Sequence, residues 1–222
     1  MEIEPVGFIE SPFQEKFGAP RQPGLVNAAE GRILFVDPWN REEAIRGLEA
    51  FSQIWVIYGF HQISEPGSRK TTARPPRLGG NERVGIFASR SPFRPNRLGL
   101  SLVELLAVEP GLLRIGGLDM VDGSPVYDVK PYLPWAESIP EAKAGFAAER
   151  PGSNWEVEFE TGVPNQNLRE LIAATLALDP RPAFHKPDSH RVYGAKLSGY
   201  NVRWRVDEIM GVVKVIEILE EK

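Results

Sequence analysis

Gly85–Ser101 reads GIFASRSPFRPNRLGLS. A short apolar strand, Val84–Ala88, is expected to run into a loop that carries Arg90, Arg94 and Arg97 and is stiffened by Pro92 and Pro95. Proline fixes its own φ and restricts the residue before it. Such a loop gives up little conformational entropy when it meets an anion, and the planar fork of arginine suits carboxylate or phosphate. A surface loop with incidental arginines would leave that rigidity unexplained.

On either side lie short β-branched runs, at Val6–Ile9, Arg32–Val36, Ile54–Phe60, Leu100–Val108, Leu112–Ile115 and Val126–Val129, separated by turn residues. This spacing predicts a barrel or closed antiparallel sheet. The 20 Pro and 21 Gly among 222 residues also argue against an all-helical chain. Arg41–Phe51 (REEAIRGLEAF) has helical spacing and follows Asp37-Pro38, which could cap and open a helical turn. After Tyr132 the character changes. A short helix is expected over Glu141–Glu149, a strand over Trp155–Glu160, and a helix from Asn165 to about Leu178. The stripe of that helix is Leu168, Leu171, Ile172, Thr175 and Leu176, with Asn165 as cap and Pro180 as stop. Strands Tyr200–Val206 and Val212–Leu219 complete a small appendix. The expected class is therefore mainly β, with an N-terminal β-barrel over residues 1–145 and a C-terminal α+β unit over 146–222.

The hydrophobic fraction of 42% and charged fraction of 25% exclude a disordered chain. Without cysteine there is no disulfide, thiolate metal site or cysteine nucleophile, which fits a reducing cytosol. The acidic start, broken by Pro5 and Pro12, does not read as a signal peptide, and no apolar run approaches a membrane span. A soluble cytoplasmic protein is expected, with neither a membrane nor a DNA partner. The net charge of −4 hides an asymmetry. Arg69–Arg97 holds eight basic residues and one acid, and Arg181–Arg205 holds six and one. Two basic islands in an acidic protein can focus a positive field on one face.

Other segments could carry chemistry. Gly117–Pro131 (GLDMVDGSPVYDVKP) sets Asp119, Asp122 and Asp128 about a turn. They could accept hydrogen bonds from ligand hydroxyls or an amine, or simply form the turn. A metal is the weaker reading, since no histidine is near and the spacing is not that of a calcium loop. Lys130 shares a strand face with Asp128, so an ion pair is the structural alternative. His61 and Gln62 end an apolar strand, a common place for ligand-binding side chains, though a lone histidine equally often packs or caps. Pro20-Arg21-Gln22-Pro23-Gly24 is a second stiffened basic loop, and Asp179–Phe184 (DPRPAF) precedes the second island. No G-x-G-x-x-G, P-loop, H-E-x-x-H or G-x-S-x-G is present. A doubly wound nucleotide fold is therefore not expected. His185 and His190, five apart, would not share a helix face as a zinc pair.

GIFASRSPFRPNRLGLS, together with QIWVIYGFH upstream and GLDMVDGSPVYDVKPYLPW downstream, resembles the TsaA-like (TrmO) family. DPRPAF resembles the C-terminal extension of its bacterial members. The resemblance implies an S-adenosylmethionine-dependent tRNA methyltransferase acting on N6 of threonylcarbamoyladenosine, at position 37 beside the anticodon. It implies a β-barrel catalytic domain, a tRNA-binding extension, and a homodimer with the cofactor near the subunit interface. Carried over by position, the cofactor pocket would use Pro20, Arg21, Gln22, His61, Gln62, Arg90, Leu100, Asp119, Met120, Val121 and Asp122. Arg94, Asn96, Asp128 and Lys130 match motif positions without an assigned role.

Chemically, Arg21 and Arg90 suit the donor's carboxylate, and Asp119 or Asp122 its amine and ribose. Backbone groups around Leu100 and Met120 suit its adenine. Asp128 or His61 could take the acceptor nitrogen's proton, with Lys130 beside Asp128. Arg94, Arg97, Arg181, Lys186, Arg191 and Lys196 are the expected contacts to the tRNA anticodon loop, with Tyr132, Trp135 and Phe184 as candidate base platforms. The alternatives are a non-catalytic RNA-binding barrel and an S-adenosylmethionine-binding sensor.

Overall fold

The computed structural model describes residues 2–63, 71–152, 155–181 and 188–221. Six strands form a closed barrel: β1 (Gly7–Glu10), β2 (Glu30–Phe35), β3 (Gln53–Gly59), β6 (Leu98–Glu109), β7 (Leu112–Gly116) and β8 (Pro125–Pro131), in the order β1-β2-β7-β6-β3-β8. All pairings in it are antiparallel. Closure leaves no open edge. Period-two alternation places Ile54, Val56 and Tyr58 of β3 and Gly99, Ser101 and Val103 of β6 inside. Trp55 and Ile57 face outward, opposite Leu102 and Leu100 on one side and Lys130 and Asp128 on the other.

A hairpin of β4 (Thr72–Ala73) and β5 (Val84–Gly85) stands apart from the barrel. The expected strand Val84–Ala88 is thus mostly a 3-10 turn, Ile86–Ala88. The carbonyls of Ile86 and Ser89 are taken up by Arg94 Nη1 at 3.4 and 2.7 Å, which turns the chain away from a ladder. The helix expected over Arg41–Phe51 splits into α1 (Glu42–Ile45) and a 3-10 turn, Leu48–Ala50. Gly47 at φ 92 ends it, a left-handed cap that only glycine adopts cheaply. Asp37 caps nothing and pairs with Arg41 instead. The helix expected over Glu141–Glu149 is a 3-10 turn, Gly145–Ala147, preceded by the short α2 (Pro134–Glu137). Residues 141–150 are all exposed, and a short helix with no face to bury is marginal in water.

The C-terminal sheet runs β10 (Tyr193–Leu197), β11 (Tyr200–Asp207), β12 (Val212–Glu220) and β9 (Glu156–Phe159), with β12 and β9 parallel. The longest helix, α3 (Gln166–Ala177), shows the buried stripe expected of it, Leu168, Leu171, Ile172, Thr175 and Leu176. Its cap is Asn165, which accepts from the Leu168 N–H at 2.9 Å. Strand β10 escaped the sequence reading. Its alternation of buried Tyr193, Ala195 and Leu197 sits inside a segment dominated by basic residues.

The segment between β1 and β2 leaves the barrel and joins this sheet. Phe13 bridges to Leu197, the Ser198 N–H donates to the Pro12 carbonyl at 2.8 Å, and Phe17 stacks on Trp204 at 5.8 Å. Phe13 and Trp204 are fully buried in one apolar core that contains residues of both units. In the barrel, the closest approach is at Gly99, where an added Cβ would lie 2.3 Å from the Tyr58 ring. Gly99→Ala must displace a buried aromatic ring and is expected to cost about 1–3 kcal/mol. Thermal or denaturant unfolding checks this, and an unchanged midpoint would refute the close-packing account.

Candidate active site

Three loops and one strand meet at the mouth of the barrel. The first is the Pro20–Gly24 turn, returned to the barrel by the Gly24 N–H donating to the Gly117 carbonyl at 2.7 Å. The second is the arginine loop, where Arg90 Nη1 donates to Gln22 Oε1. The third is Leu118–Ser124, pinned by the Asp122 N–H to the Phe13 carbonyl and the Gly123 N–H to the Ile9 carbonyl, each 2.8 Å. Strand β6 contributes Ser101, whose hydroxyl donates to Asp119 Oδ1 at 2.6 Å, with the Tyr58 hydroxyl 3.5 Å behind it.

Burial dominates the electrostatics here. It pushes the Asp119 carboxyl up to about 6, against the hydrogen bond from Ser101 and the positive charge of Arg90. Tyr58 is likewise pushed up, by burial and then by the Asp119 charge. His61 is held below its ordinary value by burial, although Asp122 pulls the other way. The imidazole therefore stays neutral near pH 7, with Nδ1 3.3 Å from the Ser124 hydroxyl. Gln62 is fixed by its amide donating to the Gln14 carbonyl at 3.0 Å and by Lys16 reaching its own carbonyl at 2.6 Å.

The structure brings many of the sequence-selected residues together. Gln22, Arg90, Asp119, Asp122 and His61 gather around the mouth, while Met120 is buried beneath it. Arg21 points instead toward the C-terminal unit, donating to the Arg181 carbonyl at 3.1 Å. The Leu100 side chain is 55% exposed on the outer wall, so what it can offer an inward ligand is backbone. Asp128 and Lys130 form an ion pair at 2.9 Å on that same outer wall, where Leu100 and Asp128 flank Ile57. Their pairing lifts Lys130 above its ordinary value. Sequence reasoning passed over Ser101, Tyr58 and Ser124. The available signal was a serine at an inward position between Gly99 and Val103, where a buried polar group needs a partner.

Of the expected RNA contacts, the structure removes Arg181 from the surface and leaves the others that it describes partnered or exposed to different degrees. Arg181 does not face solvent: it is 8% exposed, with Asp179 and Glu208 each 2.7–2.8 Å from its guanidinium. A guanidinium can be buried this way because two carboxylates take up its donors. Arg94 holds the Ser89 carbonyl, Arg97 donates to the Ile63 carbonyl at 3.0 Å, and Lys196 pairs with Glu221 at 2.6 Å. Arg191 is exposed, with its guanidinium over the Tyr193 ring at 5.2 Å. Lys186 and Phe184 lie outside the described residues. Trp135 is 85% exposed, whereas Tyr132 packs edge-on against Trp55. No group of three or more potential metal ligands occurs among the described residues.

The fold and site together define a small closed antiparallel barrel with an arginine-bearing loop and a buried carboxyl at its mouth. The particular family follows from comparison with known proteins. Residues 8–138 match the tRNA-methyltransferase O N-terminal domain and residues 155–221 the TrmO C-terminal domain, and the chain belongs to this family. It is 48% identical over 221 residues to the Escherichia coli "tRNA (adenine(37)-N6)-methyltransferase", covering 93% of this chain and 94% of that protein. It is 43% identical to a Pseudomonas aeruginosa "Putative S-adenosylmethionine-dependent methyltransferase RcsF", over 91% of each chain. A solved TrmO structure superposes with a TM-score of 0.82 at 34% identity, over 99% of both chains.

The folded Asp119 carboxyl binds its proton more tightly than an unfolded one at 3.8. Its ionisation therefore weakens the fold, and its contribution to stability falls as pH rises from about 4 to about 6. Denaturant unfolding across that range should show wild type losing stability relative to Asp119→Asn. A pH-independent difference would remove Asp119 from this role.

Proposed function

We propose that this protein transfers a methyl group from S-adenosylmethionine to N6 of adenosine 37 of tRNA, in its threonylcarbamoyl form beside the anticodon. The observation that carries this reading is the pairing at the barrel mouth of Arg90, braced by Gln22, with the buried Asp119 carboxyl held by Ser101. The methyl donor offers one carboxylate, one ammonium and two ribose hydroxyls, and this donor set fits them. Arg90 and Arg21 are the groups suited to the carboxylate, and Asp119 and Asp122 to the amine or ribose. Backbone around Leu100 and Met120–Val121 is suited to the adenine. Pro20 and Pro23 keep the Arg21–Gln22 turn in shape. Gln62 and His61 close the side of the mouth nearest Asp122.

When bound, the cofactor supplies an electrophilic methyl carbon. Held by Arg90, Asp119 and the backbone about Leu100, it would supply that carbon to the substrate nitrogen, with the departing sulfur keeping the electron pair of the broken bond. The chain's own contribution is to align the two reactants and to receive the N–H proton. Asp128 is the proposed acceptor. It stands half-exposed on the outer wall beside Leu100, where a large substrate can reach it, and Lys130 fixes its carboxylate. The neutral His61 supports a second reading, because an imidazole held below its ordinary value can accept a proton at pH 7.

The partner is tRNA, met by exposed cations including Arg191 and by the arginine loop. A homodimer is supported by Leu98 and Leu100, apolar side chains left 37% and 55% exposed on the outside of β6. Residues 1–145 are the proposed catalytic unit and 146–222 the tRNA-binding one. The proposed compartment is the cytoplasm. Among the described residues no helix is long and apolar enough to cross a membrane.

The test incubates the protein with radiolabelled S-adenosylmethionine and tRNA from a strain lacking the gene, followed by digestion to nucleosides. Label should appear in N6-methylated threonylcarbamoyladenosine; label absent from RNA would overturn the reading. Asp128→Asn should lower kcat by about 10²–10⁴-fold, the usual worth of a general base, and leave cofactor binding near wild type. If turnover survives in Asp128→Asn and falls in His61→Gln, the proton goes to His61. Cofactor affinity should drop as pH falls through about 6, where Asp119 loses its charge, and Asp119→Asn should flatten that profile.

A further inference from the structure

The start of the Asp179–Phe184 motif, Asp179 to Arg181, turns inward. Asp179 adopts a left-handed backbone, φ 48, which brings its carboxylate under the next turn. There it accepts from the Arg181 N–H at 3.2 Å, from Nε at 2.7 Å and from Nη2 at 2.8 Å. Glu208 accepts from Nη1 at 2.8 Å. The guanidinium also lies against Trp155 and Tyr193, at 5.2 and 5.7 Å from their ring centres. With its side chain held on every side, Arg181 has a fixed backbone, and its carbonyl receives Arg21 Nη2 at 3.1 Å.

The charges run the same way. Two carboxylates face one guanidinium, so the cluster keeps a surplus negative charge beside Arg21. Burial lowers Arg21 and Asp179 raises it, which marks the carboxylate as the attracting group. The far end of the same loop is tied by Arg150 donating to the Gly24 carbonyl. One residue beyond Arg21, Gln22 receives Arg90, whose charge acts on Asp119. A continuous series of contacts thus runs from the C-terminal sheet to the barrel mouth. A buried ion cluster is a poor device for stability alone, since apolar residues of similar volume generally do as well or better. Its geometry makes sense if orientation is what it secures.

We infer that Arg181 is a positioning residue: with Asp179 and Glu208 it sets the reach of Arg21, so that the C-terminal unit tunes the affinity of the barrel for the methyl donor. This rests on the reading of the Pro20–Gly24 turn as part of the S-adenosylmethionine pocket. Arg21 spends one donor on the Arg181 carbonyl and keeps the rest of its fork for a carboxylate.

The experiment is calorimetric titration of the full chain with S-adenosylmethionine, alongside steady-state kinetics with tRNA. Asp179→Asn should raise Kd and KM for the cofactor about tenfold, and Glu208→Gln about threefold, the scale of a weakened charge-assisted hydrogen bond. The KM for tRNA and kcat at saturating cofactor should stay near wild type. Combining Asp179→Asn with Arg21→Met should bind no more weakly than Arg21→Met alone, because the two act through one contact. If Asp179→Asn does not fold, the isosteric Glu208→Gln at the cluster's edge decides. Folded variants with wild-type cofactor affinity, strictly additive losses, or a raised tRNA KM with unchanged cofactor KM would each overturn the brace alone. Wild-type protein that fails to bind S-adenosylmethionine would overturn the pocket reading as well.

Discussion

Two phenylalanines govern the architecture. Phe13 and Phe17 draw the chain between β1 and β2 out of the barrel and onto the C-terminal sheet, where one is fully buried and the other stacks on Trp204. Burial of large side chains is worth about 1.5–3 kcal/mol each, ample to hold a segment that pairs with the sheet through few backbone bonds. The excursion carries Pro20, Arg21 and Gln22 on its way back. The barrel mouth therefore takes part of its shape from a domain that contributes none of its strands.

Polar groups are placed where the barrel can least afford errors. Ser101 and Asp119 satisfy one another inside an otherwise apolar wall, with Tyr58 behind. A buried carboxyl that titrates near 6 is an unfavourable thing to fold around. Its retention at the mouth, within the field of Arg90, is the pattern expected when environment tunes a group for recognition. The arginine loop follows the same logic. Arg94 and Arg97 satisfy backbone carbonyls and give the loop its shape, which leaves Arg90 bonded to Gln22 with its charge felt at Asp119.

The barrel strands and α3 were legible because each follows a clear period, two for the strands and 3.6 for the helix, with caps and prolines at the ends. The misreadings have local causes. Gly47 cut a helix that its apolar spacing supported, and residues 141–150 had helical composition but no surface to cover. Strand β10 was hidden because its outward positions are a glycine and a lysine, Gly194 and Lys196, inside a basic segment, which masks the alternation of Tyr193, Ala195 and Leu197. At the site, Gln22, His61, Arg90, Asp119 and Asp122 were readable from motif and resemblance. Ser101 was not, since one serine in a strand signals nothing until its inward direction is known.

From the amino-acid string alone came the mainly β class, the shared strand face of Asp128 and Lys130, the stripe and cap of α3, and the family resemblance. All of these depend on neighbours a few residues apart or on an unbroken motif. Tertiary structure decided the fate of the charges. Arg181 and Arg191 look alike in a basic segment, yet one is enclosed by Asp179 and Glu208 and the other stands in solvent. Glu208 lies 27 positions from Arg181, and Arg21 lies 160. Which carboxylate meets which guanidinium over such separations depends on how the sheets pack, and sequence spacing carries no record of that.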